Sequence, residues 1–216
     1  MIVLALYLLF VPYGKEERHH EEHHRGKGLT AAQWFLTIGL ALVAAVIVLT
    51  NVVINVRVPG LVEKSGMGSV QTAGLILSTM QLIGIAAGLS FAPLLHYFKE
   101  NLLTVAGVVF GLTTIMIGLA PNLLLLSVVT IASGFVYSVS LTSIFHILSE
   151  RIPSKSLNQA TSIVILGCSA GATATTFFLS LIGQFSSQAS FIFGVLGSLM
   201  VLMAVLAFGI LKKKSA

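Results

Sequence analysis

Asn51, Asn55, Gln81, Tyr137, Ser169 and Thr173 are amides, a phenol and hydroxyls set inside apolar stretches of a 216-residue chain. Polar groups in such stretches are costly in lipid and usually face protein or a water-filled cavity. The chemistry open to them is hydrogen bonding with a neutral or amphiphilic molecule. Charge is missing from the same stretches. The chain has no Asp, and its seven Glu lie in polar runs or at the ends of apolar ones. A proton or cation relay across a membrane calls for a buried carboxylate, and this chain supplies none.

A second cluster sits near the start. His19, His20, His23 and His24 flank Glu21 and Glu22 in the run 14–28, GKEERHHEEHHRGKG. Imidazoles and carboxylates can hold Zn²⁺ or Ni²⁺. A solvated linker between turn-forming glycines has the same composition. We read it as a linker, so no metal and no other cofactor is expected. Tight Zn²⁺ binding by a 14–28 peptide is what the metal-handling alternative requires.

Enzymatic readings find little support. Ile131-Ala132-Ser133-Gly134 lacks the first glycine of the turn that an intramembrane serine nucleophile needs. No glycine-rich phosphate loop ending in Lys-Ser/Thr is present. A cation carrier with a His-rich loop would need intramembrane Asp/His pairs. The chain is not expected to be an enzyme. Cys168 is the single cysteine and lies in an apolar stretch, so it reads as a small buried residue.

The elements that must position these groups follow from composition. Hydrophobic residues make up 56% of the chain and charged residues 9%, with a mean hydropathy of +1.00. That is a membrane composition, with the lipid bilayer as solvent. A hydrocarbon core of about 30 Å needs about 20 helical residues. Six stretches meet this: 33–56, 70–97, 102–120, 123–149, 160–183 and 189–211. Residues 1–13 are apolar but too short to cross. They lack a basic start and a cleavage site, and read as the end of a truncated helix. The expected organisation is that tail, a charged cytoplasmic loop over 14–30, a six-helix domain over 31–212 and a basic tail over 213–216.

Charge sets the direction of the helices. Lys15, Arg18, Arg25 and Lys27 should hold the first polar run in the cytoplasm. With alternating crossings, Lys99, Arg151, Lys155 and Lys212-Lys213-Lys214 fall on the same side. That makes ten basic residues inside, against Arg57 and Lys64 outside. Nucleic acid is excluded as a partner, because these charges sit between apolar spans and form no basic face.

Polarity is unevenly spread over the spans. The first carries Gln33, Thr37, Asn51 and Asn55 on one face, and the second has Ser78 and Gln81. The fourth has Ser133, Tyr137 and Ser140 on one face, with Thr142, Ser143 and His146 beside it. The fifth has Ser162, Ser169, Thr173, Thr176 and Ser180 in a stripe. The third and sixth carry only scattered Ser and Thr. Isolated Ser and Thr often bond their own helix and mean nothing more. Asn51 and Asn55 either line a pathway or join helices. Gly84 and Gly88, and Gly167 and Gly171, are pairs four apart that let helices approach closely. The second of these pairs lies opposite the Ser169/Thr173 stripe. Pro93 should bend the second span, and His96 and His146 read as interfacial anchors.

A charged loop followed by six spans ending inside resembles the second half of a major facilitator superfamily transporter. Val58-Pro59 with the glycine-rich loop and Ala73-Gly74 resembles the entry to helix eight of that family. The stretch 88–107, GLSFAPLLHYFKENLLTVAG, resembles the loop between its helices eight and nine. Asn158-Gln159-Ala160 through Gly171 resembles its helix eleven. In the eight–nine loop the family shows Asp-Arg-x-Gly-Arg-Arg. Here His96-Tyr97-Phe98-Lys99-Glu100-Asn101 keeps only Phe98, so the resemblance gives no basis for the family's gating charge network in this half.

The resemblance implies an all-α bundle of helices seven to twelve, preceded by the tail of helix six. It also implies a substrate site near the midplane between two rocking halves, with helices seven, eight, ten and eleven facing the cavity. The six residues named first are then the cavity-lining candidates. The expected function is secondary transport of a small molecule, efflux of drug-like or neutral metabolites, in a bacterial plasma membrane. The expected partner is an N-terminal six-helix half or a second copy. A truncated, non-transporting fragment or a half-transporter awaiting a partner is the alternative.

Overall fold

The computed structural model describes residues 29–186 and 188–212. The run 1–28, with its His cluster, and the tail 213–216 lie outside the described residues. Among the described residues the fold is all-α. The helices are α1 (Ala31–Lys64), α2 (Val70–Phe98), α3 (Leu102–Leu119), α4 (Leu123–Arg151), α5 (Ser154–Phe185) and α6 (Ala189–Lys212), with a 3₁₀ turn over Lys99–Asn101 between α2 and α3.

By length and apolar composition, five helical stretches are sufficient to cross a membrane, and the chain is a multi-pass membrane protein on that count. This is five, not the expected six. Val70–Leu119 is one apolar run of 50 residues in which only the short turn intervenes.

Local signals start the helices. Thr30 and Gln33 form a reciprocal capping box: Gln33 N–H donates to Thr30 Oγ1 at 3.4 Å and Thr30 N–H to Gln33 Oε1 at 2.9 Å. Gln33 is thus a cap and not a group inside the span. Ser69 caps α2, accepting from Thr72 N–H, and Asn122 caps α4, accepting from Leu125 N–H at 2.9 Å.

Two connections are shorter than the sequence implied. α1 continues through Pro59 and Gly60 to Lys64, so the linker is only 65–69, with Gly66 at φ +64°. Pro59 removes one backbone bond, but Val58 and Val62 on either side are fully buried and hold the helix together. Arg57 therefore lies within α1, where its Nε is buried without a hydrogen-bond partner. Only Ile152 and Pro153 separate α4 from α5, where a loop over 150–159 was expected.

Glycine contacts fix the helix directions. A methyl added at Gly167 would stand 2.5 Å from the Ala41 carbonyl oxygen, and one at Gly171 would meet that of Ala45. Both numbers rise together, so α1 and α5 are parallel. Gly134 lies on Met80 and Gly84 on Ser138, so α2 and α4 are parallel. Gly107 lies on Ala204 and Gly118 on Phe193, so α3 and α6 are antiparallel. Gly111 and Gly197 each approach the other's carbonyl oxygen. Ser190 Oγ donates to Gly118 O at 2.7 Å across the same seam. α3 and α6 form the most extensive pair, followed by α1 with α5 and α2 with α4.

The turn at Lys99–Asn101 reverses the chain. Gly84 reaches α4 at Ser138, and the Phe110 ring packs 6.1 Å from that of Tyr137. A straight helix would separate residues 84 and 110 by about 39 Å at 1.5 Å per residue. Both meet one level of α4, so the chain folds back between them. Lys99 takes the sparsely populated conformation φ 48°, ψ −129° to make the turn. The core runs along α1, where Ile47, Val53, Ile54, Val58 and Val62 are fully buried.

Candidate functional site

The six polar candidates fall into three settings. Asn51 is buried (8% exposed) on α1, and its Oδ1 has no hydrogen-bond partner among the described residues. Asn55, one turn on, donates its Nδ2 to the Asn51 backbone oxygen at 2.8 Å. Tyr137 on α4 is half-buried against Phe110. Gln81 on α2, and Ser169 and Thr173 on α5, are exposed on the outside of the bundle. Thr173 Oγ1 donates to Ser169 O at 2.9 Å. No contact joins all six into one pocket.

What does unite part of the set is exposure. On α2, Ser78, Gln81 and Gly88 face outward, as do Ser162, Ser169, Thr173, Thr176 and Ser180 on α5. Gly167 and Gly171 turn the opposite side of α5 onto α1. The polar stripe is left without a neighbour because the small residues took the packed side. Of the glycines expected to pack, Gly84 does so against Ser138. Gly88 has open space around it and packs against nothing. The glycines at 107, 111, 118, 134 and 197 were not singled out from sequence. The four-residue spacing of Gly107 and Gly111 was the available signal.

Most hydroxyls satisfy their own helix. Thr37, Thr50, Thr114, Ser140 and Ser143 each donate to the carbonyl four residues earlier, at 2.7–2.8 Å. They join no site.

A cavity of about 280 Å³ opens where the end of α2, the 3₁₀ turn and the start of α3 meet the end of α4. Its charged lining is Lys99, Glu100, Glu150 and Arg151, with the His146 imidazole beside them, over Leu95, Leu102, Leu103 and Ile147. Arg151 Nη2 lies 3.7 Å from Glu100 Oε1, tying α4 to the turn. His146 Nε2 lies 3.3 Å from Glu150 Oε1 and its ring stands edge-on to Phe91 at 5.8 Å. Neither Glu100 nor Arg151 was a sequence candidate, because 51 residues separate them and only folding brings them together. Among the described residues, no group of three or more His, Cys, Asp or Glu side chains could hold a metal ion. No family model, curated protein or solved structure matches the chain.

Proposed function

We propose that this chain forms one six-helix half of a secondary transporter of the major facilitator type and moves small neutral or amphiphilic molecules out of the cell. The observation that carries the reading is the exposed polar stripe of α2 and α5, with Gln81, Ser169 and Thr173 on it. Groups of this kind are costly against lipid and suit a water-filled cavity facing a second unit. The helices that pack most extensively on each other, α3 and α6, are those with the least polar interiors.

Helix directions support six passes over five. Six alternating passes make α1 parallel to α5 and α2 parallel to α4, and α3 antiparallel to α6. The glycine contacts have all three relations. If Val70–Leu119 crossed once, the first two would be antiparallel. The ten-to-two bias in basic residues gives the same topology, with the 3₁₀ turn in the cytoplasm.

The cavity then lies between this chain and an N-terminal half or a second copy. The test is transport by the complete protein with alanine at Asn51, Asn55, Gln81, Tyr137, Ser169 and Thr173 together. Loss of transport with unchanged expression supports the reading, and unchanged transport refutes it. A half-transporter is distinguished by cross-linking cysteines on α2 and α5: a product at twice the single-chain mass means a second copy.

A further inference from the structure

We draw no further inference here: the strongest candidate, the apolar groove between α2 and α3 over Phe135, Val136 and Val139 of α4, is an unpartnered apolar face, and nothing in the structure shows what covers it.

Discussion

Gly171→Ala is the sharpest test of how this bundle is held together. The added methyl would meet the carbonyl oxygen, carbonyl carbon and Cα of Ala45, all backbone atoms of α1. Nothing there can rotate away, so the helices must separate. The neighbouring approach gives the scale: a methyl at Gly167 stands 2.5 Å from Ala41 O, about 1 Å short of ordinary contact. Opening a seam by 0.5–1 Å forfeits roughly a quarter to a half of its dispersion energy. Overpacking of this kind costs about 1–3 kcal/mol, and removing a helical glycine returns about 1 kcal/mol. The expected net loss is up to about 2 kcal/mol. Lipid is as apolar as the seam, so no hydrophobic gain conceals it. Gly88→Ala is the control, because nothing lies within 4 Å of its added methyl. It should stabilise by up to about 1 kcal/mol. Both variants are unfolded from mild detergent by added SDS and followed by far-ultraviolet circular dichroism. Equal midpoints for the two would refute the packing argument.

Other outcomes follow from single contacts. Ser190→Ala removes the hydrogen bond to Gly118 O and should cost about 0.6 kcal/mol, measured in the same unfolding assay. Asn51→Leu replaces an amide whose oxygen is buried and unpartnered, so stability should hold or rise while transport by the complete protein falls. A fall in both would make Asn51 a structural residue. In a Cys168→Ala background, an impermeant maleimide applied to intact cells should label a cysteine at Ser65 or Asn122 and spare one at Glu100 or Pro153. Labelling at Glu100 from outside would break the six-pass topology.

The membrane class, the all-α fold and most helix starts were legible because each depends on local composition or a cap. Thr30 with Gln33, Ser69 and Asn122 carry their signals within four residues. Helix ends were less legible. Pro59 and Gly60 read as a stop, yet α1 runs through them to Lys64 because tertiary packing on Val58 and Val62 outweighs local propensity. The Ser169/Thr173 stripe opposite Gly167 and Gly171 was visible, since both follow from 3.6-residue periodicity.

The sequence by itself determined what is local: apolar runs of spanning length, the placing of charged residues between or at the ends of those runs, and which residues share a helix face. Only the tertiary structure decided which face meets which. It put Gly171 on Ala45 and Gly134 on Met80 while leaving Gly88 open, because close approach depends on the register of two helices and not on either alone. It also brought Glu100 to Arg151 across a turn whose strained residue is Lys99. Residues 51 apart in the chain become neighbours there because two helices end at one level of a third, and no periodicity in the sequence records that level.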